Sequence, residues 1–466
     1  MFHATLVKIN IKVRLKNMTY KYSSKPYLHF DRKVSFDEKV EKYVNDYEIN
    51  RSHNFLPLIY SEVIFERYKK TGNNKVEYVI RKGEKVPVVE KKRPIMYASH
   101  IDNFIYKHYG LQINELYNKY AKDNGFDDSV LAYRDNKNGK SNIHFAAEIV
   151  NYIASNPECY IYVGDYTKFF ESLNHNYLKE RLSNLYGNEK IPGHQFKIFK
   201  SLTKFAFIHK ENINMYLGSD KEINKGSNKY FDSFKEFRAF KKMGSLIEND
   251  NGKMLKINNL PYGIPQGTAI SAIYSNIYMI EIDKYISKIV GKENGIYRRY
   301  SDDFIIILPK VTKQKFEEIK GNVEKEILAK THLEIHPDKT KLMMFDGKNI
   351  VHWESGEKEK LDYLGFVYDG YSVKMREKSI HKYYRTAYKL ISKGEIISRK
   401  KRNTGKNSRL TYKRKLYQGY HQLGEQTDYK YKYKKRNYGT FITYANKCQK
   451  VFDKLSPITV KNSYKM

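Results

Sequence analysis

The stretch that decides the fold is Arg298-Arg-Tyr-Ser-Asp-Asp-Phe-Ile-Ile-Ile-Leu308, in which Asp302 and Asp303 precede a run of five apolar residues. An apolar β-branched run is typical of a buried strand, so the pattern predicts a strand–turn–strand hairpin with both acids at its tip. Two carboxylates fixed in this way are suited to hold a divalent cation against a phosphate. Because Asp-Asp is also an ordinary turn dipeptide, the rest of the chain must support this interpretation.

A second acid, Asp165, ends another predicted strand, residues 159–165, and is followed by Tyr166 and by Phe169-Phe170. Two metal ions that bridge a triphosphate and an attacking hydroxyl need carboxylates from separate strands that converge on one spot. A strand-end acid together with a hairpin-tip pair can supply them.

The composition favours a polyanionic partner. The chain has 466 residues and a net charge of +34, and residues 371–466 carry 26 Lys and Arg against 5 Asp and Glu. This uneven charge indicates nucleic acid rather than a uniformly lysine-rich solvated surface, and the 43 Tyr could stack on bases. Two cysteines exclude a zinc or disulfide framework, and with no signal-peptide core and no long apolar run we expect a cytoplasmic protein without a membrane partner.

The order of the predicted elements indicates an α+β fold with an antiparallel sheet. Residues 91–150 look largely helical, with Ile101, Ile105, Tyr109, Leu116 and Tyr120 on one stripe. The polar stretch 210–256 is interpreted as an insertion with loops. One long amphipathic helix is expected after Gly267, another helix near 313–330, and strand pairs around 333–344 and 363–373.

Taken together and in order, the motifs resemble those of reverse transcriptases over about residues 90–370. The matching segments are Lys91-Lys-Arg-Pro-Ile95, Ala132-Tyr-Arg134, Asp165 to Phe170, Gly263-Ile-Pro-Gln-Gly267, Tyr300-Ser-Asp-Asp303, His336-Pro-Asp-Lys-Thr340 and Tyr363-Leu-Gly-Phe366. The resemblance implies a right-hand polymerase with fingers, a ferredoxin-like palm and a basic, mainly helical thumb. The implied divisions are an N-terminal extension or part of the fingers (1–90), fingers (91–158), palm (159–370, with an insertion at about 187–258) and thumb or C-terminal domain (371–466).

The resemblance also implies roles for individual residues. Asp165, Asp302 and Asp303 would be the catalytic acids and, with the backbone carbonyl of Tyr166, would bind two Mg²⁺ ions, for which Mn²⁺ could substitute. Lys339 would donate a proton to pyrophosphate, with a generic exposed lysine as the alternative. The residues implied to contact the dNTP are Lys92, Arg93, Tyr166, Phe170 and Gln266. Phe170 would exclude a 2′-hydroxyl, with Phe169 as the alternative gate.

Nucleic acid would be held by the hairpin of Tyr363 and Gly365 and by the basic cluster Lys400, Lys401 and Arg402. The implied partners are an RNA template, the DNA product and dNTPs. A dedicated noncoding RNA, a partner protein and a homo-oligomer stay open. Tyr429, Tyr431 and Tyr433, which alternate with lysines, are candidates for protein priming because a phenol ionises more readily than an alkyl hydroxyl.

Residues 169–181 and 201–205 resemble the abortive-infection and unknown-group reverse transcriptases of bacterial defence, which implies an antiphage role. Ser301 departs from the alanine that is commoner in the family. The alternatives are a group II intron-type or retron-like enzyme with the same chemistry, and a non-catalytic RNA-binding scaffold. The intact acids argue against the scaffold, and a retron thumb signature is lacking.

Overall fold

The computed structural model describes residues 22–68, 77–81, 84–188, 190–223, 229–248, 250, 252–405, 412–420 and 440–455. The strands are β1 Leu58–Tyr68, β2 Glu77–Arg81, β3 Glu84–Tyr97, β4 Cys159–Asp165, β5 Ala206–His209, β6 Lys256–Ile257, β7 Ile296–Tyr300, β8 Asp303–Pro309, β9 Lys341–Phe345, β10 Ile350–His352, β11 Leu361–Tyr363, β12 Phe366–Tyr368 and β13 Val373–Met375. They form two five-stranded sheets and one three-stranded sheet within these ranges.

The helices surround these sheets. They are α1 Glu38–Asn45, α2 Tyr47–Ser52, α3 His100–Asp123, α4 Asn142–Ser155, α5 Phe169–Ser172, α6 His175–Leu185, α7 Gly193–Thr203, α8 Lys210–Leu217, α9 Asp220–Ile223, α10 Phe234–Lys242, α11 Ser271–Tyr278, α12 Ile280–Lys292, α13 Lys313–Thr331, α14 Glu377–Asn403, α15 Lys413–Tyr420 and α16 Phe441–Leu455. Short 3₁₀ turns lie at Asp127–Ser129 and Pro337–Lys339.

The central sheet has the order β10-β9-β4-β8-β7 and is antiparallel throughout. Helices α11 to α13 pack on one face, against Phe304 and Ile306, while α4, α16 and the sheet β11-β12-β13 pack on the other, against Ile305 and Ile307. Burial on both faces explains why β8 is apolar at consecutive positions instead of alternating. The predicted α+β right-hand polymerase fold, with its antiparallel palm sheet, is confirmed.

The close packing of the two middle strands depends on Gly164 in β4. It lies opposite Phe304 of β8, and a Cβ atom there would overlap the Phe304 ring. The glycine therefore lets the phenyl ring lie flat over β4, one residue before Asp165.

The other five-stranded sheet has the order β2-β3-β1-β5-β6. It contains residues 91–97, which the sequence analysis assigned to a largely helical region. Pairing of β3 with β1, from Tyr97 opposite Ile59 to Val88 opposite Tyr68, fixes these residues as strand, and the helix begins at His100. In α3, Ile105 and Tyr109 of the predicted stripe are buried and Ile113 and Tyr117 continue it, while Leu116 and Tyr120 are half-buried.

Two further expectations about helices were wrong. The stretch 210–256 contains α8, α9 and α10. Its aromatic residues pack against the sheet β2-β3-β1-β5-β6 and form a separate hydrophobic core centred on Phe231, Phe237 and Phe240. The long helix after Gly267 is two helices, α11 and α12, because the amide of Met279 bonds to the Asn276 carbonyl three residues back and so tightens the turn.

The C-terminal region is helical where the structure describes it. Helix α16 packs Ala445, Cys448 and Phe452 against the face of the central sheet that α4 also covers. Helix α14 buries little of its surface, since Gly394 and Ser398 are its buried residues. The division into four domains stays a prediction. Among the residues described, no helix has the length and apolarity needed to cross a membrane.

Candidate active site

Two neighbouring strands bring the predicted acids together. In the β4–β8 ladder Asp165 lies directly opposite Asp303, and in the β7–β8 hairpin Tyr300 pairs with Asp303. Asp302 precedes Asp303 in the tight turn of this hairpin. Antiparallel pairing therefore places the three acids at one edge of the central sheet, although 137 residues of sequence separate Asp165 from Asp302.

A buried ion pair fixes the hairpin turn. The Arg299 guanidinium donates to both carboxylate oxygens of Asp283 on α12, at 2.8 and 2.6 Å, and both side chains are fully buried. The same guanidinium donates to the Ser301 carbonyl at 2.9 Å and to Asn276 Oδ1 at 3.2 Å. Sequence reasoning named neither Arg299 nor Asp283 as a site residue, although an acid between Ile282 and Ile286 on an apolar helix face is a signal for a buried partner.

The residues after Asp165 are fixed by backbone bonds. The Tyr166 amide donates to the Asp302 carbonyl at 3.3 Å, and the His336 amide donates to the Asp165 carbonyl at 2.8 Å. The Tyr166 side chain is buried and packs on Phe169 and Phe304. Its backbone thus lies beside two of the acids, which is the position that the predicted carbonyl ligand needs, while its ring is part of the core.

Lys339 reaches the acids from the 3₁₀ turn after α13. Its ammonium Nζ lies 2.7 Å from Asp165 Oδ2. The lysine side chain is 40% exposed and that of Asp165 is 15% exposed. The contact joins two segments separated by 174 residues and places an ammonium group beside one of the acids.

Repulsion among the three neighbouring carboxylates disfavours a negative charge on all of them at once. Desolvation and the negative charges of Asp302 and Asp165 raise the pKa of Asp303 to about 7, and Lys339 opposes this rise. A bound cation would remove the part of this pKa shift that comes from repulsion between the like charges.

Replacing Asp303 by Asn should flatten the pH dependence of stability between about pH 4 and pH 7. The folded pKa of about 7 lies above the value of about 4 for an unfolded aspartate, so the folded chain binds more protons in this interval. The contribution of Asp303 to wild-type stability therefore falls as pH rises through this interval, and the variant lacks this fall. Melting temperatures in EDTA should show an advantage of Asp303→Asn that grows from pH 4 to 7.

Asp128→Asn is the control for that measurement, because the Asp128 side chain is 90% exposed and lies 3.9 Å from Lys137. Its melting temperature should follow that of the wild type at every pH. A difference between Asp303→Asn and wild type that stays constant from pH 4 to 7 would contradict the raised pKa.

Two features of the site suit a divalent cation: its carboxylate oxygens and one buried oxygen that lacks a hydrogen-bond partner among the described residues. Asp165 Oδ1 is buried and lacks a hydrogen-bond partner among the described residues, while Oδ2 is bound by Lys339. Carboxylate oxygens are the ligands that Mg²⁺ prefers. In the described ranges, however, no three His, Cys, Asp or Glu side chains are arranged as a metal-binding group. Asp165 and Asp303 nevertheless lie close enough for a hydrogen bond between their side chains, which contributes to the raised pKa of Asp303.

The two residues predicted to bind the triphosphate lie on β3, beside the segment Gly263 to Gly267. Lys92 and Arg93 are exposed, and Lys92 Nζ lies 3.6 Å from Glu62 Oε2 on β1. The Met96 amide donates to the Gln266 carbonyl at 2.7 Å, and a Cβ at Gly267 would lie 2.6 Å from the Met96 carbonyl oxygen. Gly267, at φ 118°, therefore lets the turn at Gln266 pack closely against β3, the strand that carries Lys92 and Arg93.

The structure distinguishes the two adjacent phenylalanines of α5. Phe169 is 4% exposed and packs on Tyr166, whereas Phe170 is half-buried at the edge of the core. The Phe170 carbonyl accepts the Ile264 amide at 2.9 Å, so this residue is attached to the Gln266 segment. Of the two rings, Phe170 is the one with surface to offer a ligand.

The predicted nucleic-acid residues lie in different surroundings. Tyr363 is 5% exposed and its ring belongs to the core beneath the central sheet, while the hairpin turns at Gly365 (φ 95°). Lys400, Lys401 and Arg402 are exposed in the last turn of α14. The priming candidates Tyr429, Tyr431 and Tyr433 lie outside the described residues.

Comparison with known families agrees with this arrangement. The sequence profile described as "Reverse transcriptase (RNA-dependent DNA polymerase)" matches residues 80–368, more than half of the chain. The chain therefore belongs to the reverse transcriptase family. The profile covers every catalytic and dNTP-binding candidate, from Lys92 to Lys339. No curated protein sequence matches the chain.

Among solved structures, similarity is found to telomerases. A C-terminally truncated apo telomerase from Candida tropicalis has 14% identity and a TM-score of 0.39, over 64% of this chain and 53% of its own. A telomerase from Candida albicans, solved with a TWJ fragment of telomeric RNA, has 15% identity and a TM-score of 0.40, over 72% and 49%. The chain thus spans about half the length of these telomerases.

Proposed function

We propose that this chain is an RNA-directed DNA polymerase that adds dNTPs to a 3′-hydroxyl. The observation that carries the proposal is the register that sets Asp165 opposite Asp303, with Asp302 beside them, inside the segment that matches the reverse transcriptase family. The direct experiment is incorporation of labelled dNTPs on an RNA template, with and without EDTA. The Asp302→Asn, Asp303→Asn variant is its control.

Asp165, Asp302 and Asp303 would hold two Mg²⁺ ions, with Asp165 Oδ1 as the atom left open for a cation. When bound, such ions lower the pKa of an attacking hydroxyl and neutralise charge on the leaving pyrophosphate. The protein's own part is to keep the acids in register. Lys339, at 2.7 Å from Asp165, would protonate the departing pyrophosphate.

The dNTP would lie between β3 and the Gln266 turn. Lys92 and Arg93 offer positive charge to the triphosphate from one side, and Gln266 is attached to the same strand through its carbonyl. Phe170 would lie under the sugar. The Phe170 carbonyl accepts a hydrogen bond from the Ile264 amide, two residues before Gln266. The segment from Ile264 to Gln266 would therefore position both the dNTP and the Phe170 ring that excludes a 2′-hydroxyl.

Phe170→Ala should admit ribonucleotides, because the missing ring leaves room for a 2′-hydroxyl. We expect the ratio of rNTP to dNTP incorporation to rise about 10-fold or more in single-turnover assays. The control is Phe169→Leu, since Phe169 is buried: this variant should lower the melting temperature and leave the ratio unchanged. An unaltered ratio in Phe170→Ala with normal dNTP use would place the gate elsewhere.

The template and product would be gripped by the basic C-terminal helices. Lys400, Lys401 and Arg402 are exposed together at the end of α14, where positive charge also complements the helix dipole. The RNA template, the DNA product and the dNTPs are the proposed partners. Whether the template is a dedicated noncoding RNA is decided by sequencing the nucleic acid that co-purifies with the chain.

Replacing Lys400, Lys401 and Arg402 together by Gln should reduce the salt dependence of nucleic-acid binding. Each lost phosphate contact lowers the slope of log K against log salt by about 0.7–0.9, so the expected change is about 2–3. Replacing Lys315, which lies beside Glu293 and Glu318, is the control and should leave the slope unchanged. A triple variant with the wild-type slope would show that the cluster faces solvent.

We further propose that the polymerase acts in bacterial antiphage defence, which rests on the resemblance of residues 169–181 and 201–205 to defence-associated enzymes. Phage plating efficiency on cells that express the wild type or the Asp302→Asn, Asp303→Asn variant tests this role. Equal plating on both would favour the intron-type or retron-like alternative. A wild type that binds RNA but incorporates no dNTP would favour the non-catalytic scaffold.

A further inference from the structure

Two strained residues meet at the catalytic turn. Tyr133 and Ser301 have left-handed backbone conformations, with φ 62° and 64°, and the Tyr133 hydroxyl donates to Ser301 Oγ at 3.1 Å. Left-handed φ is uncommon outside glycine and persists where surrounding contacts hold it. Here two such residues, 168 apart in sequence, bond to each other one position before Asp302.

Tyr133 belongs to a segment that is anchored on both sides. The Leu131 amide donates to the Arg299 carbonyl at 2.9 Å, and Asn276 Nδ2 donates to the Ala132 carbonyl at 3.0 Å. On the other side, the buried Arg134 guanidinium is paired with the Asp127 carboxylate. The backbone on both sides of Tyr133 is therefore held, and its phenol is directed at Ser301.

Three hydrogen bonds restrain the turn, two to Ser301 and one to Asp302. Ser301 is 5% exposed, its carbonyl accepts from Arg299 at 2.9 Å, and its hydroxyl accepts from Tyr133. The next carbonyl, that of Asp302, accepts from the Tyr166 amide at 3.3 Å. Without Tyr133, the turn loses the hydrogen bond to the Ser301 hydroxyl and keeps those to the Ser301 and Asp302 carbonyls.

The burial of the pair indicates what the hydrogen bond contributes. Tyr133 is 43% exposed, so its ring is only partly covered, and its anchored position also provides the contact with Ser301. An exposed aromatic ring in a strained conformation is a poor way to stabilise a core. It is a direct way to fix a neighbouring catalytic turn.

We propose that Tyr133 is a positioning residue that sets the Asp302 carboxylate through Ser301. The inference rests on the proposed polymerase function, for which Asp302 is a catalytic acid. A serine at position 301 then has a role that an alanine there could not fill, because only the hydroxyl accepts from the phenol.

The test is a double-mutant cycle with Tyr133→Phe, Ser301→Ala and both changes together. Each single variant should lower kcat for dNTP incorporation about 3- to 10-fold, the value of one neutral hydrogen bond. KM for dNTP and the melting temperature should change little. The double variant should be no slower than either single variant, because both remove the same contact. Full kcat in either single variant, or multiplied losses in the double variant, would overturn the proposal.

The chain offers a matched control. Tyr106 donates its hydroxyl to Ser201 Oγ at 3.0 Å, the same chemical pair, but in the core between α3 and α7. Tyr106→Phe should lower the melting temperature and leave kcat unchanged, which separates positioning from general stability. An equal loss of kcat in Tyr106→Phe would also contradict a specific role for Tyr133.

A second measurement does not depend on activity. Hydrogen exchange of a peptide covering residues 299–304 should be faster in Tyr133→Phe and in Ser301→Ala than in the wild type, to the same degree. Unchanged exchange would overturn the inference. A wild type that incorporates no dNTP, with faster exchange in both variants, would instead refute the polymerase function and leave the restraint on the turn established.

Discussion

The Asp302→Asn, Asp303→Asn double variant should incorporate dNTPs only at background level, while its melting temperature equals or exceeds that of the wild type. Both acids lie with Asp165 at one sheet edge, and desolvation together with their mutual repulsion raises the pKa of Asp303 to about 7. Amides remove that repulsion and also remove the charge that would hold a divalent cation. Loss of activity with retained stability is typical of residues selected for function at a cost in stability.

The measurement combines labelled-dNTP incorporation on an RNA template with a thermal melt of the same preparation. Asp128→Asn, at an exposed carboxylate outside the site, is the control and should keep full activity. Full activity in the double variant would refute the polymerase proposal. An inactive variant that melts well below the wild type would show instead that the acids support the fold.

Asp283→Asn should lower the free energy of unfolding by about 3–5 kcal/mol, the usual cost of leaving one member of a buried ion pair without its partner. Arg299 and Asp283 are fully buried, and the Tyr297 hydroxyl also donates to Asp283 at 2.8 Å. Because Arg299 also bonds to the Ser301 carbonyl, the variant should lose dNTP incorporation even at temperatures where it is folded.

The midpoint of urea unfolding measures the loss of stability. Glu318→Gln is the matched control, because its pair with Lys315 is 3.1 Å long but lies on the surface of α13, with 37% and 56% of the two side chains exposed. Exposed pairs contribute about 0–1 kcal/mol, so this midpoint should hardly move. Equal effects of the two variants would mean that water reaches the Arg299 pair.

Local sequence patterns were sufficient for the elements that carry the acids. The strand 159–165 was predicted with its bounds, and the hairpin was predicted with Asp302 and Asp303 at its tip. Helix α13 was predicted to within one residue. These elements are long and strongly apolar, and their burial reinforces their intrinsic preference. Motif order along the chain then indicated the family, which the profile match over residues 80–368 confirmed.

Local sequence patterns predicted secondary structure less well where contacts between distant parts of the chain determine it. Residues 91–97 are strand because β1 pairs with them, and 210–256 is helical because its aromatic residues have a sheet to pack on. Tyr363 seemed available to nucleic acid but is buried under the central sheet. None of these outcomes follows from a residue's immediate neighbours, since burial depends on what the rest of the chain places opposite.

The sequence by itself determined which residues are the candidate catalytic acids: Asp165, Asp302 and Asp303 are recognisable because short-range order places acids at strand ends. Only the tertiary structure decided how they are held. The Arg299–Asp283 pair, the Lys339–Asp165 contact and the Tyr133–Ser301 bond join positions 16, 174 and 168 residues apart. Such contacts depend on the register of strands and on which faces are buried, and side-chain hydrogen bonds become strong determinants of geometry only after folding has removed the competing water.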